Sequence, residues 1–188
     1  MGMVSSIDFY SGEMVRELNA REPRHWPRYE TVHGELLVSP GPRMWHQEVV
    51  ARLLVAIRAY LDKEQIGRAL ASPSDISWGK ADVLVQPDVF VVPQDEARTL
   101  DWRRVRQLLL AIEVLSPSSI LADRFTKRRL YQKMATQLYW VIDADARSVD
   151  VWTRDALFPR VERDLLVWHP DGAHVPFTLS LEELFRPI

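Results

Sequence analysis

The spacing of apolar residues predicts four helices, one of which is long and clear. Over 44–67, Val49, Leu53 and Ile57 recur at helical spacing, and Gly67 is a plausible end of the helix. The other helices are predicted over 8–19, over 119–135 and near the C-terminal segment SLEELF. The longest helix therefore precedes most of the strands.

Apolar runs with strand character occupy most of the remaining chain. The segment over 28–40 alternates and stops at Pro-Gly-Pro, which is typical of a strand or hairpin, and the segment over 138–153 is typical of a hairpin that turns at DADAR. Further strands are predicted over 68–78, 82–93 and 107–117, with one or two weaker ones towards the C-terminus. Without repeats or a linker, this order predicts one α/β domain (mixed α+β) over 1–188. Helices would flank a central mixed sheet, and the N-terminal hairpin would extend it.

Two acidic residues interrupt two successive apolar strands. Glu113 stands in AIEVLSP between Ile112 and Val114, and Asp88 stands in VLVQPDVFVV directly after Pro87. An ionised carboxylate is costly to bury alone, so each acid needs a cation, hydrogen-bond donors or a metal ion. If the two strands are neighbours, the carboxylates approach each other, and a divalent cation would remove their repulsion.

The helix predicted after these strands offers a cation for the same place. At 100° per residue, Asp123 and Lys127 fall on one stripe with Leu130 and Tyr131, and the apolar members indicate that this stripe faces the core. Asp123 and Lys127 are thus charges at the end of a buried helix face.

A purely structural interpretation of these residues stays open. Glu113 and Lys127 could form an ion pair that serves stability alone, and Asp88 could bond backbone amides at the end of a strand. Asp123 could simply pair with Lys127 one helical turn away. The coincidence of these irregularities at one end of the sheet favours a chemical role over a purely structural one.

Composition restricts the class of partner and the compartment. The formal net charge is -2, so a surface for nucleic acid has to be a local patch. The chain has no cysteine, which excludes disulfides and thiolate metal sites and fits the cytoplasm. No stretch approaches the roughly 18 apolar residues of a membrane span, and the N-terminal segment lacks the pattern of a signal peptide. We therefore expect a cytoplasmic protein without a membrane partner.

Several segments together resemble the Uma2 family of restriction-endonuclease-like proteins, which have the fold of the PD-(D/E)xK nucleases. They are HGELLVSP, QPDVFVV, AIEVLSPSS, DRFTKRRLY and YWVIDADARSVDVW, and the likeness extends from Tyr29 to Trp152. The resemblance implies a nuclease core in which Asp88 belongs to the PD pair and Glu113 is the second acid. The lysine of the general motif, two positions after that acid, is replaced by Leu115. Lys127 is its natural substitute.

The resemblance also implies a cofactor and a partner. Mg²⁺ or Mn²⁺ would be bound by Asp88 and Glu113 with help from the carbonyl of Val114. Lys127 would orient a water molecule or stabilise developing negative charge. The partner would be nucleic acid, with DNA as the first expectation, and a homodimer is compatible with the fold.

Five further residues are secondary candidates. Glu35 could complete the metal site, or it could be a solvated acid at a hairpin turn. His46, in the first turn of the long helix, could contact phosphate or donate a hydrogen bond behind the site, and a capping or surface role is the alternative. Asp123 could join the acids. Arg124 and Arg128, on the outer faces of their helix, are candidate contacts to nucleic acid.

Two functions from different classes fit these residues. One is a metal-dependent endonuclease that hydrolyses phosphodiester bonds, which Asp88, Glu113 and Lys127 together favour. The other is a nucleic-acid-binding or protein-interaction module that keeps the nuclease fold without turnover, which Leu115 and the mild acidity favour. A metal-dependent hydrolase of another substrate is a third.

Overall fold

The computed structural model describes residues 9–23, 26–134 and 136–188. The helices are α1 (Gly12–Arg21), α2 (Met44–Glu64), α3 (Gln94–Ala97), α4 (Arg128–Lys133) and α5 (Leu181–Leu184), with a 3₁₀ turn at Trp102–Arg104 and a π-helical segment at Ala122–Lys127. The strands are β1 (Arg28–Val32), β2 (Glu35–Ser39), β3 (Gly67–Ala71), β4 (Val83–Leu84), β5 (Val89–Pro93), β6 (Leu110–Val114), β7 (Leu138–Asp143), β8 (Ser148–Thr153), β9 (Arg160–Glu162), β10 (Leu165–Trp168) and β11 (Phe177–Ser180).

A six-stranded sheet forms the centre of the molecule, in the order β3-β5-β6-β7-β8-β9. Strands β6 and β7 are parallel, and the other neighbours are antiparallel. The parallel pair follows from the helical crossover that joins the two strands, since parallel strands need a long connection. Helices lie on both faces of the sheet, so the predicted mixed fold with flanking helices is confirmed.

Alternate residues of the central strands face two separate cores. In β6, Leu110, Ile112 and Val114 pack on the face that α2 covers. Ala111 faces the opposite core, which α4 and the N-terminal hairpin cover. Glu113 has the same parity as Ala111 and is 1% exposed, so its carboxylate enters a buried layer, as the strand pattern predicts.

The segment over 82–93 is two strands and not the single strand that its apolar run predicts. Strand β4 pairs with β1 in a three-stranded sheet of order β2-β1-β4, whereas β5 lies in the central sheet. The chain passes from one sheet to the other at Gln86 and Pro87. Pro87 has no N–H to donate to a ladder, which is why the strand breaks there. Asp88 consequently stands where the chain enters the central sheet.

Several element ends differ from the predicted ones by a few residues. The first helix begins at Gly12, because the side chain of Ser11 caps it by accepting from Met14 N; the predicted start at Asp8 lies outside the described residues. Helix α2 ends where Gln65 takes a left-handed conformation with φ 56°, and Gly67 opens β3 instead of ending the helix.

The N-terminal hairpin turns at His33 and Gly34, whose φ angles are 52° and 87°. Positive φ at both central residues is the requirement of the tight turn that matches the twist of a two-stranded ribbon. Glu35 is therefore the first residue of β2, paired with Val32.

The C-terminal region contains three strands, where one or two were predicted. Strand β9 extends the central sheet, and β10 and β11 form a separate hairpin before α5. None of the helices in the described ranges combines the length and apolar composition that crossing a membrane requires.

Candidate active site

Four buried acidic side chains lie at or beside one cavity of about 710 Å³. Asp88, Glu113 and Asp123 line it together with Lys127, and Glu30 lies directly behind them. The N-terminal hairpin, the start of α2 and the two central strands enclose the cavity. The sequence-predicted acids and lysine are thus brought together.

Asp88 is held by groups from three other elements. In the antiparallel pairing of β5 with β6, Val89 faces Ile112. One position further along, Asp88 therefore stands beside Glu113 on the neighbouring strand. Its Oδ2 accepts a hydrogen bond from the backbone N–H of Val114 at 2.9 Å. Its Oδ1 lies 3.4 Å from Arg28 Nη2 and 3.6 Å from His46 Nε2. Because of these contacts, the carboxylate has one fixed orientation at the cavity wall.

Glu113 receives two donors from the helix that follows its strand. Lys127 Nζ donates to Glu113 Oε1 at 3.1 Å, and the hydroxyl of Tyr131 donates to the same oxygen at 3.0 Å. Lys127 and Tyr131 are one helical turn apart and face the sheet together, as their predicted stripe requires. Both are buried, and Lys127 is 3% exposed.

The Lys127 ammonium contacts three carboxylates at once. Besides Glu113, it lies 2.8 Å from Glu30 Oε2 and 3.4 Å from Asp123 Oδ1. The turn that carries Asp123 and Lys127 is π-helical, a widened form common at functional sites. The hydroxyl of Tyr139 donates to the backbone carbonyl of Asp123 at 2.9 Å and fastens this widened turn to β7.

Glu30 is a member of the cluster that sequence reasoning missed. It lies on β1 and is completely buried; its Oε1 accepts a hydrogen bond from Gln86 N at 2.7 Å, next to the break between the two sheets. The available signal was parity: Glu30 stands two positions before Val32 and shares its face of β1, and the side chain of Val32 is buried. That signal is weak, because nothing local indicates that Glu30 of β1 contacts Lys127.

The pKa values of the two central acids are pushed apart. Burial raises the pKa of Asp88, but the neighbouring His46 imidazole and the charge of Arg28 outweigh it and lower the pKa to about 2. Burial raises the pKa of Glu113 well above its usual range, and the charge of Lys127 only partly opposes this effect. Two carboxyl groups with such different environments can hold different protonation states in one site.

The carboxylates around Lys127 determine the direction in which its pKa shifts. Burial by itself would lower the pKa of Lys127, but the charges of Glu113, Glu30 and Asp123 outweigh it and raise the pKa. Burial likewise raises the pKa of Asp123, against the charge of Lys127. Lys127 is therefore a permanent cation in the neutral range.

Among the residues that the structure describes, the cluster has fewer arginine and lysine side chains than acids. Glu30, Asp88, Glu113 and Asp123 face Lys127 and Arg28, so four ionised carboxylates would leave a formal charge of -2. Hard oxygen donors with surplus negative charge are the environment that Mg²⁺ prefers, and Mg²⁺ often takes only one or two protein carboxylates. The donor set around Asp88 and Glu113 fits such an ion. In the described ranges, however, no three or more His, Asp or Glu side chains are grouped as a ready-made metal cage.

Two of the secondary candidates, His46 and Asp123, lie at the cavity, and the other three do not line it. His46 lines the cavity and faces Asp88, so it is neither a cap nor a free surface residue. Asp123 joins the acids. Glu35 is exposed on the hairpin and does not line the cavity. The acid of the hairpin that joins the buried cluster is Glu30 of β1, which contacts Lys127.

Arg124 and Arg128 do not line the cavity, and both contact groups of their own chain. Arg124 lies 3.2 Å from both Asp143 and Asp150, and the guanidinium of Arg128 stacks 4.6 Å above the ring of Trp152. The predicted basic outer surface is thus partly neutralised, because β7 and β8 bring acids and an aromatic ring beneath it. Among the described residues, the arginine that lines the cavity is Arg28, which was not predicted.

Comparisons with known proteins agree with this architecture. The Uma2 family, described as "Putative restriction endonuclease", matches residues 15–182. Among solved structures, the chain is similar to that of a "putative nuclease belonging to DUF820 from Anabaena variabilis ATCC 29413", with a TM-score of 0.76 and 23% identity over 94% of this chain and 97% of that chain. At this identity the likeness concerns the fold. The comparison with curated proteins finds no match.

Proposed function

The chain belongs to the Uma2 family, and from this premise we propose that it is a metal-dependent nuclease that hydrolyses phosphodiester bonds in nucleic acid. The family and the structural neighbour point to a nuclease. The observation that carries the finer proposal is the convergence of Asp88, Glu113 and Lys127 on one cavity. Acids of this kind with a nearby lysine are suited to stabilise the charge that develops on a phosphate group.

Asp88 and Glu113 would hold Mg²⁺ or Mn²⁺, with the carbonyl of Val114 as a further oxygen donor. When bound, the ion supplies charge for the phosphate and makes a bound water more acidic. Asp88 is suited to this role because Val114 N, Arg28 and His46 orient its carboxylate. Its low pKa keeps it ionised at neutral pH.

Lys127 would stabilise negative charge on the phosphate and orient the attacking water. Glu113, Glu30 and Asp123 hold its ammonium beside the cavity and keep it charged. Leu115, which stands in the usual position of the lysine, packs against the core instead of the cavity. Lys127 is the cavity-lining lysine that can take its place.

The test is cleavage of nucleic acid by the purified chain with Mg²⁺ or Mn²⁺, on plasmid and on single-stranded substrates. We expect Asp88→Ala and Lys127→Met to lower the cleavage rate by at least about a hundredfold, since each removes a group that acts on the transition state. Lys133→Met is the matched control, because Lys133 is an exposed lysine near the end of α4 and should keep wild-type activity.

The controls separate a nuclease from a binding module. Circular dichroism has to show that each variant is folded at the assay temperature. Full metal-dependent activity in Lys127→Met would disprove the role of this lysine. A wild-type chain that binds nucleic acid but cuts no substrate with either ion would disprove the nuclease proposal and favour the binding module.

A further inference from the structure

The catalytic candidates are reached only from inside the cavity. Asp88, Glu113 and Lys127 are 6%, 1% and 3% exposed, so almost none of their surface meets bulk solvent. A phosphate that contacts them has to enter the cavity with its neighbouring sugar. This depth restricts which form of nucleic acid can be a substrate.

The walls of the cavity come from several loops that stand above the sheet. The loop over 40–43 joins β2 to α2, Ser72 and Pro73 follow β3, and the turn over 116–119 follows β6. Trp26 packs against Gly41 of the first loop and lines the same wall. The acids therefore lie at the base of an enclosure and not on an open platform.

The volume of the cavity matches a short piece of one strand. At about 710 Å³ it falls among sites that enclose small ligands, and by that measure it takes about one or two nucleotides. A duplex keeps its bases stacked and paired and presents its phosphates on a rigid outer rim, with a minor groove only about 6 Å wide. An unpaired strand can rotate its bases away and pass a phosphate into the enclosure.

One cation in the wall is placed to hold a phosphate. The guanidinium of Arg28 lies between the ring of Trp26, 5.6 Å from its centre, and Oδ1 of Asp88, 3.4 Å from Nη2. That contact with Asp88 is longer than a good charged hydrogen bond and uses one of five donors. Within the described residues, the buried Nε of Arg28 has no hydrogen-bond partner. A phosphate oxygen pair is the ligand that such a fork binds.

We propose that the cavity accepts an unpaired strand of nucleic acid, a single strand or a flap, and that Arg28 binds a phosphate of that strand. The inference rests on the proposed nuclease function for its cleavage arm, but its binding arm is independent of turnover. Arg28 is a substrate-binding residue here, and Trp26 positions its guanidinium.

The first arm compares cleavage of one labelled sequence as a single strand, as a blunt duplex and as a duplex with an unpaired flap, each with Mn²⁺. We expect the single strand and the flap to be cut at least about tenfold faster than the blunt duplex. A blunt duplex that is cut as fast as the single strand would overturn the inference and leave the nuclease function standing. If no form is cut, the nuclease function itself fails.

The second arm measures binding of a dye-labelled oligothymidylate by fluorescence anisotropy with Ca²⁺ in place of Mn²⁺, so that a divalent cation balances the acids beside the phosphate. We expect Arg28→Gln to weaken binding by at least about tenfold, because a charged fork to phosphate is lost, and Arg28→Lys to recover only part of it. Arg58→Gln is the control, since Arg58 is exposed in the middle of α2 and does not line the cavity.

Affinity and melting temperature together decide the binding arm. Weaker binding in Arg28→Gln, with an unchanged melting temperature and unchanged binding in Arg58→Gln, supports the assignment. If Arg28→Gln alters the melting temperature, Arg28→Lys, which keeps the charge next to Asp88, decides alone. Wild-type affinity in both Arg28 variants would refute the role of Arg28.

Discussion

Lys127→Met tests the energetics of the buried acid cluster without reference to activity. Methionine keeps most of the length of the lysine side chain, so the substitution removes the charge and leaves the packing nearly intact. It leaves Glu30, Glu113 and Asp123 without the cation that lies within 3.4 Å of all three. Loss of one partner from a buried charge pair costs about 3–5 kcal/mol.

That loss is large beside the whole stability of a domain. Folded domains are stable by about 5–15 kcal/mol, and for a chain of this length each kcal/mol shifts the melting temperature by about 2–4 °C. We therefore expect Lys127→Met to melt about 6–20 °C below the wild type. Urea unfolding followed by tryptophan fluorescence, with a chelator in every sample, gives the free energy of unfolding.

The pH dependence identifies the cause of the loss. Burial raises the pKa of Glu113, and removal of Lys127 takes away the main opposing charge, so the pKa rises further in the variant. A carboxyl with a raised pKa in the folded state stabilises below its unfolded pKa, and this stability is lost as the pH rises through the folded pKa. The destabilisation by Lys127→Met should therefore be larger at pH 8 than at pH 5.

Two matched comparisons test whether the lost charge of Lys127 causes the loss of stability. Lys133→Met should leave the free energy of unfolding within about 0.5 kcal/mol, as exposed substitutions usually do. Glu113→Gln combined with Lys127→Met should cost less than the sum of the two single substitutions, because the residues are in contact. A Lys127→Met protein that is as stable as the wild type at pH 8 would refute the view that this lysine neutralises the cluster.

Two further predictions concern Asp88 and the cation. Because the pKa of Asp88 is lowered from 3.8 to about 2, its carboxylate stabilises the fold above pH 4, and this stability is lost as the pH falls towards 2. In urea unfolding, the free energy of unfolding of Asp88→Asn should therefore fall by about 2 kcal/mol less than that of the wild type over this pH range. Mn²⁺ at a hundred times its dissociation constant should raise the free energy of unfolding by about 2.7 kcal/mol in a thermal or urea titration. The rise should vanish in an Asp88→Ala and Glu113→Gln double variant, and its persistence there would place the ion elsewhere.

Local patterns along the chain predicted much of the fold. The stripe of Val49, Leu53 and Ile57 predicted α2, and the parity of β6 placed Glu113 and Ile112 on opposite faces of the sheet. These predictions succeed because helix and strand periodicity is a property of neighbouring residues. Pro87 indicates a local irregularity of the strand before Asp88. The apolar residues on both sides of it, however, give no sign that β4 and β5 belong to different sheets.

The candidate site was predicted in part, for the same reason. Asp88, Glu113 and Lys127 are conspicuous because each places a charge where the local pattern is apolar. Glu30 and Arg28 are not conspicuous, because β1 alternates in a way that suits an exposed hairpin equally well. In the structure, β1 packs on the face of the sheet that carries Glu113, so Glu30 is buried beside Lys127.

Charge and periodicity in the chain were thus enough to indicate that acids and a lysine have to meet at one end of a sheet. Contacts between segments up to about a hundred positions apart, such as that of Glu30 with Lys127, decided which further residues join the cluster and how deeply it is buried. Such contacts are selected by the total burial and charge balance of the folded chain, and no local segment carries that information.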